Sequence, residues 1–149
     1  MKKQIVSILS VVSFMAFLVA PALADDLEAL EGSWSTQKTN DEGQRVTQHI
    51  EIKKKKFTFK VVSADHTTLL YAEGDVRSEK AGPFKTIVFS NIKAGESSTD
   101  ASSIDDTYTV VYKLADDVWT VISNLDKERD QKPSLDVYRK SKSAAPRDK

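Results

Sequence analysis

The spacing of apolar residues changes at Gly32, and this change most constrains the fold of the chain. Before Gly32, Leu27 and Leu30 stand three residues apart, which is typical of a helical turn. After it, apolar and polar residues alternate in short runs separated by turn residues such as Asn40-Asp41. Since a period of two places successive side chains on opposite faces of a strand, the sequence predicts about eight short strands.

The connections between these strands restrict the architecture. They are mostly short polar turns, and neither a strand–helix–strand pattern nor an internal repeat is present. Consecutive antiparallel strands form a meander, and closure into a barrel removes edges that would otherwise aggregate. We therefore predict an all-β fold, an antiparallel up-and-down closed barrel of about eight strands with a short N-terminal helical turn. Gly74-Asp75 is predicted as a bend and residues 93–106 as a long loop.

The first residues predict export. Lys2 and Lys3 precede an apolar run from Ile5 to Ala20, and Ala22-Leu23-Ala24 has the small-x-small pattern of a signal-peptidase site. A membrane-spanning helix needs about 20 apolar residues, and this run is shorter, which favours cleavage over an uncleaved anchor. No cysteine follows that could carry a lipoprotein lipid. We expect a periplasmic or secreted protein with no membrane span after cleavage.

These assignments divide the chain of 149 residues into a signal peptide (residues 1–24), a barrel domain (residues 25–140) and a disordered tail (residues 141–149). Because the signal peptide carries two lysines and no acids, the mature chain has 20 basic and 22 acidic residues, a net charge of −2. This balance argues against a nucleic-acid partner. The absence of cysteine excludes disulfides, thiolate metal sites and cysteine nucleophiles. The oligomeric state stays open.

Four segments resemble the lipocalin-like domains of small exported bacterial proteins, a group of mostly unknown function. Leu30-Glu31-Gly32-Ser33-Trp34 is similar to the Leu-x-Gly-x-Trp opening of these domains. Residues 52–59, 112–119 and 135–139 resemble their central hairpin, late hairpin and final strand. The resemblance covers nearly the whole mature domain and implies the barrel fold.

The resemblance also implies which residues occupy the closed end of the barrel. In lipocalins the Trp of the opening motif packs across that end near an Arg from the last strand, and here these residues are Trp34 and Arg139. Such a pair would make a cation–π contact or a cap over the indole. The second lipocalin motif, Thr-Asp-Tyr-x-x-Tyr, is not matched, because Tyr112 follows Asp106-Thr107-Tyr108 one residue too late. The resemblance therefore supports the fold more than ligand transport.

Apolar and aromatic residues on one face of the predicted strands form the candidate binding site. An eight-stranded barrel is wide enough for packed side chains or for one small ligand. Tyrosine hydroxyls inside a barrel need partners and suit an apolar pocket with a few polar groups. The same residues could instead pack against one another as an ordinary core. The candidate lining residues are Ile50, Phe57, Phe59, Leu69, Tyr71, Tyr108, Val110, Tyr112, Trp119 and Val121.

The basic hairpin, Lys53-Lys54-Lys55-Lys56, is open to two interpretations. It could contact an anionic partner, or its like charges could keep a solvated tip from pairing with other edges. No catalytic site, metal site or cofactor is predicted, since His49 and His66 are the only histidines and no nucleophile elbow occurs. The predicted function is non-enzymatic binding of a small, largely apolar molecule in the barrel. The alternative is a solid-cored envelope or interaction module that acts through the basic hairpin.

Export gives the first testable expectation. Because Ala24 completes the cleavage site, the mature chain should begin at Asp25. N-terminal sequencing of the protein from the envelope or the medium measures this directly. Finding Met1 still attached there would contradict both the cleavage and the absence of a membrane anchor.

Overall fold

The computed structural model describes residues 26–125 and 131–141. The predicted signal peptide (residues 1–24) and the predicted tail beyond Ser141 lie outside the described residues. Within them, one short 3₁₀ helix precedes nine β-strands. These elements are η1 (Glu28–Leu30), β1 (Gly32–Thr39), β2 (Arg45–Lys53), β3 (Lys56–Ser63), β4 (Thr68–Ala81), β5 (Phe84–Gly95), β6 (Ser102–Ser103), β7 (Tyr108–Ala115), β8 (Val118–Ser123) and β9 (Ser134–Lys140).

Eight of the strands close into an antiparallel barrel. Their order around the sheet is β4-β3-β2-β1-β9-β8-β7-β5, and β4 also pairs with β5. The predicted fold is therefore confirmed. The predicted loop at residues 93–106 is shorter than expected, because β5 continues to Gly95 and β6 pairs with Lys93 and Ala94. Within the part of the chain that the structure describes, no helix is long and apolar enough to span a membrane.

The seam between the first and last strands closes the barrel with little backbone pairing. Only two register pairs join β1 to β9, Trp34 with Lys140 and Ser35 with Arg139. Ser141 extends the seam, since its N–H donates to the Ser33 carbonyl oxygen at 2.8 Å. Side chains must therefore supply much of the cohesion at this seam.

η1 covers one end of the barrel, which we call the η1 end. Leu27 and Leu30 are buried there, and the Trp34 indole Nε1 donates to the Leu30 carbonyl oxygen at 2.8 Å. The Trp34 ring packs edge-on against Trp119, with the ring centroids 5.8 Å apart. Gly32 begins β1 at φ +126°, a backbone conformation that side chains disfavour, so glycine suits the change from helix to strand.

Lys140, and not Arg139, is the cation beside Trp34. Its Nζ lies 5.3 Å from the centroid of the Trp34 ring. Register partners in an antiparallel pair point to the same face, so Lys140 lies on the side of β9 that faces Trp34, while Arg139 pairs with Ser35 on the other side. Both basic side chains are exposed, and the register decides that the second of them lies over the indole.

Gly74 allows β4 and β5 to approach closely. A Cβ at this position would lie 2.6 Å from the Ser90 carbonyl oxygen and 2.9 Å from Phe57 Cε1. The β4–β5 register shifts between Glu73 and Asp75. The predicted bend at Gly74-Asp75 is thus a bulge within one continuous strand, a feature that curves barrel strands.

Gly74→Ala should therefore destabilise the barrel by about 1–3 kcal/mol, since the added methyl group meets backbone on one side and an aromatic ring on the other. Arg77→Ala on the same strand is the control, because Arg77 and its partner Glu79 are exposed and such pairs contribute little. Chemical denaturation of both variants measures the difference. Equal stability of the two variants would contradict the steric role of Gly74.

Candidate functional site

The inner face of the barrel is the candidate site, and it holds most of the predicted lining residues. Register places them opposite one another, as in the pair Ile50 with Phe59 across β2 and β3. Six belong to the buried core and two pack against it. The eight are Ile50, Phe57, Phe59, Tyr108, Val110, Tyr112, Trp119 and Val121.

Aromatic rings contact one another across this interior. Phe57 and Phe89 meet edge-on with centroids 4.8 Å apart, and Phe89 lies 6.5 Å from Tyr108. Trp119 lies 5.4 Å from Tyr138 in a tilted arrangement. Such ring pairs stabilise a barrel beyond the area they bury, and they also make a wall that an apolar guest can contact.

The structure places Leu69 and Tyr71 outside this interior. Tyr71 is the register partner of Lys60 on the outer face, where neighbouring side chains leave it only 7% exposed. Lys60 Nζ lies 5.9 Å from its ring, and its hydroxyl donates to Glu73 Oε2 at 2.7 Å. Leu69 is 43% exposed, beside the register shift between β3 and β4.

The facing strand β3 explains why Tyr71 points outward. Residues 69–72 are apolar on both faces of β4, so the sequence does not indicate which face points into the barrel. Phe57 and Phe59 need small inward neighbours on β4, and their register partners are Gly74 and Ala72. The interior therefore takes the small residues and leaves the ring of Tyr71 outside.

A polar group on the inner face near the β1–β9 seam was missed by the sequence reasoning. We call it the seam network: Lys38, Gln48, Ser134, Asp136 and Tyr138. Lys38 Nζ forms an ion pair with Asp136, whose side chain is only 11% exposed, and lies 3.5 Å from Ser134 Oγ. The Tyr138 hydroxyl donates to Gln48 Oε1 at 2.9 Å. These groups offer donors and acceptors within an otherwise apolar wall.

The alternation of inward and outward side chains along each strand is a sequence signal that predicts the seam network. Lys38 has the same parity as Trp34, Gln48 the same as Ile50, and Asp136 the same as Tyr138. Each is therefore expected on the inner face once one neighbour is known to be buried. Polar residue type suggested a solvated position instead, and only the pairing of β1 with β9 brings the charges together.

Tyr138 is held in its neutral form. Burial, and secondarily the negative charge of Asp136, raise the pKa of Tyr138 well above its ordinary value of 10.0. The hydroxyl therefore keeps its proton at physiological pH and acts as a donor. The site can orient a bound molecule by hydrogen bonding, in a region that rings make apolar.

The far end of the barrel, opposite η1, carries a groove of about 310 Å³ beside the first residues of β7. Val111 is the first β7 residue that pairs with β8, opposite Ile122, and β8 ends one residue later. The groove is lined by the consecutive residues 107–111, from both faces of β7, together with Asn124 and the half-exposed Leu125. The Tyr108 hydroxyl donates to Asn124 Oδ1 at 3.0 Å. The groove thus reaches two predicted lining residues.

A second groove, of about 420 Å³, lies at the η1 end. It runs between Ala29 and the β4–β5 hairpin, where Phe84 is 60% exposed, and it touches Tyr112. The ion pair of Lys85 with Asp26, at 2.7 Å, spans its side. This groove lies beside the segment that covers the η1 end of the barrel.

Charge is distributed unevenly along the barrel axis. Three of the four far-end connections, residues 40–44, 64–67 and 96–107, contain no lysine or arginine, whereas the described part of the fourth, between β8 and β9, carries Lys132. The basic hairpin lies at the η1 end and is exposed. The acids of these three connections are Asp41, Glu42, Asp65, Glu96, Asp100, Asp105 and Asp106. These three connections therefore carry negative charge, which the basic hairpin at the opposite end does not offset locally.

Neither histidine faces the interior. His49 is exposed and is the register partner of Lys60 on the outer face, and His66 lies in the β3–β4 turn at φ +69°. Among the residues that the structure describes, no three acidic or histidine side chains are grouped in a way that could hold a metal ion.

Comparison with known proteins finds no matching family model, no similar curated protein and no similar solved structure. What the barrel does is therefore inferred from its own residues.

The neutral state of Tyr138 predicts how stability depends on pH. A group whose pKa is raised by folding contributes stability that is present below its unfolded value and is lost as pH rises toward the folded value. Wild-type stability should therefore fall as pH rises above 10.0. Tyr138→Phe keeps the ring and removes the ionisable group, so its stability should fall less steeply over the same pH range.

Thermal unfolding at a series of pH values measures both slopes. Tyr138→Phe also leaves Gln48 without its donor, which lowers stability at every pH but does not change the slope. Parallel curves for wild type and variant would contradict the assignment.

Proposed function

We propose that this chain is an exported, non-enzymatic, lipocalin-like protein that binds a small, largely apolar molecule inside its barrel. One observation carries the proposal: the lining of the far-end groove at the start of β7 includes Tyr108 and Val110, which belong to or pack against the barrel core. A groove of about 310 Å³ lies at the small end of the range of ligand sites. The ligand would accordingly be small.

The composition of the interior supports this proposal. Aromatic and aliphatic side chains make up the wall, and the seam network adds a few hydrogen-bonding groups. Ligand sites usually combine an apolar lining with a small number of polar groups that fix orientation.

Acidic residues beside the groove weigh against an anionic ligand. An anion that approaches from the side of Thr107 passes Asp105 and Asp106, whereas Lys132 lies next to Asn124 on the other side. Repulsion between like charges slows such an approach and is screened by salt. Inside the barrel, Lys38 is the cation of the seam network and already forms an ion pair with Asp136, so it is not available to bind an anionic ligand.

Export to the periplasm or the medium belongs to the same proposal. Its support is the sequence of residues 1–24, with two lysines, an apolar run and a small-x-small site in the order of a signal peptide.

A second candidate is a surface contact made by the basic hairpin, and one observation favours it. Lys54 and Lys55 have φ values of 49° and 63°, a left-handed conformation that two-residue hairpin turns usually assign to Asn-Gly. Lysines at both positions cost stability that a better turn sequence would recover. The turn is also held in place, because the Lys54 N–H donates to Glu31 Oε1 at 2.8 Å. A selected basic surface would account for this choice of residues.

Nile red, a neutral solvatochromic dye, tests the carrier proposal. It should bind with blue-shifted emission and quench tryptophan fluorescence, because Trp34 and Trp119 both lie in the barrel. Tyr108→Ala removes a groove wall and should change the dye affinity about tenfold, whereas Lys55→Ala at the exposed hairpin should leave it unchanged. An anionic naphthalene sulfonate dye should bind more weakly, and added salt should reduce the difference.

Two results would decide against the carrier. One is the absence of dye binding at any salt concentration. The other is binding that Lys55→Ala weakens and Tyr108→Ala does not, which would place the dye on the surface. Either result would favour the basic hairpin as the functional surface.

A further inference from the structure

The indole N–H of Trp119 is buried without a hydrogen-bond acceptor. Trp119 is 1% exposed, and across residues 26–125 and 131–141 no atom accepts a hydrogen bond from its Nε1. It is also the only buried side-chain nitrogen or oxygen in those residues that lacks a partner. More than about 90% of buried polar groups in folded proteins have one, so this exception requires an explanation.

Trp34 provides an internal comparison. Its ring lies 5.8 Å from that of Trp119 in the same part of the barrel, yet its indole N–H reaches the Leu30 carbonyl oxygen at 2.8 Å. The fold therefore supplies an acceptor for one of two neighbouring indoles and not for the other. An apolar ring at this position would pack without leaving a donor unsatisfied, so packing alone does not account for the N–H.

The surroundings of Trp119 are aromatic. Register on β8 and β9 makes Tyr138 its partner, with ring centroids 5.4 Å apart, and the Tyr138 hydroxyl is already engaged with Gln48. Leu114 is its partner on β7. A buried water needs two to four polar partners, and these rings and this leucine offer few. A bound molecule that brings its own acceptor satisfies the donor without further polar groups.

We propose that Trp119 Nε1 is the hydrogen-bond donor of the binding site and that it recognises a carbonyl oxygen on a neutral, otherwise apolar ligand such as a ketone. This inference rests on the proposed carrier function and names its ligand class. Indole is a donor only, so it selects an acceptor and gives no advantage to a hydroxyl proton. Neither groove is lined by Trp119, so the carbonyl would reach Nε1 by entering between the rings packed around it.

Two molecules of nearly the same shape test whether the Trp119 N–H donates a hydrogen bond to the ligand. Undecan-2-one carries a carbonyl, and 2-methylundec-1-ene replaces its oxygen by a CH₂ group. Displacement of Nile red gives the affinity of each molecule for wild type and for Trp119→Phe, which lacks the N–H. Only the ketone bound to wild type can form the hydrogen bond to Trp119. The preference of wild type for the ketone over the alkene should therefore exceed that of Trp119→Phe by about tenfold.

The indole N–H resonances provide a readout on the unmodified protein. The chain has two tryptophans, so a ¹⁵N-labelled sample shows two indole signals, which Trp119→Phe assigns. The ketone should move the Trp119 proton downfield and the alkene should not, while the Trp34 proton, already bonded to Leu30, should move with neither. This measurement stands even where Trp119→Phe fails to fold, since Trp34 can then be assigned from its contact with Leu30.

The outcomes separate the inference from the proposed function. Displacement of Nile red by ketone and alkene with equal affinity, and no movement of the Trp119 proton, overturns the carbonyl site and leaves the carrier intact. A Trp119 proton that responds to neither molecule in a barrel that does not bind Nile red overturns both.

Discussion

Closure of the barrel depends on the seam between β1 and β9. The barrel has eight pairs of neighbouring strands. In seven of them the two strands are successive barrel strands along the chain, so their contacts are local, whereas this pair joins the first strand to the last. Only two register pairs hold it. Side chains reinforce the seam at both ends, with Lys140 over the Trp34 ring at the η1 end and the ion pair of Lys38 with Asp136 toward the far end.

The seam also explains why polar groups face the interior. A charge pair inside a barrel is costly to desolvate, yet here it links two strands that share few backbone hydrogen bonds. Removing one partner would leave the other charge partly buried and the seam weaker. The same groups, with Tyr138 and Gln48, give a predominantly apolar interior its few points of polarity. Stability of the closure and capacity to orient a guest thus depend on one set of residues.

Two neighbouring tryptophans divide structural and proposed binding roles. Trp34 is satisfied within the fold by Leu30 and packs between η1 and the barrel interior. Trp119 packs against it but keeps a free donor among the described residues. A small barrel has room for few side chains, so the element that closes one end also forms the floor of any site above it. The far end, where a groove lies beside the first residues of β7, is the side from which the proposed ligand would enter.

The sequence by itself determined the strands, their hairpin order and most of the inner face. Alternation and turn residues are local signals, so the inward positions of Ile50, Phe57, Val110, Trp119 and Val121 could be predicted from the strand on which each lies. Lys38 and Asp136 had the right parity but the wrong residue type for a core, so their place on the inner face was not predicted.

Tertiary structure decided what depends on distant neighbours. Leu69-Leu70-Tyr71-Ala72 is apolar on both faces, and the bulky Phe57 and Phe59 opposite selected the small residues of β4 for the interior. The register of β1 with β9 placed Lys140, and not Arg139, over Trp34. A local sequence pattern does not predict the width of the barrel or the pairing of its first strand with its last. Both are set when the sheet closes, because closure brings residues that are far apart in sequence onto one face.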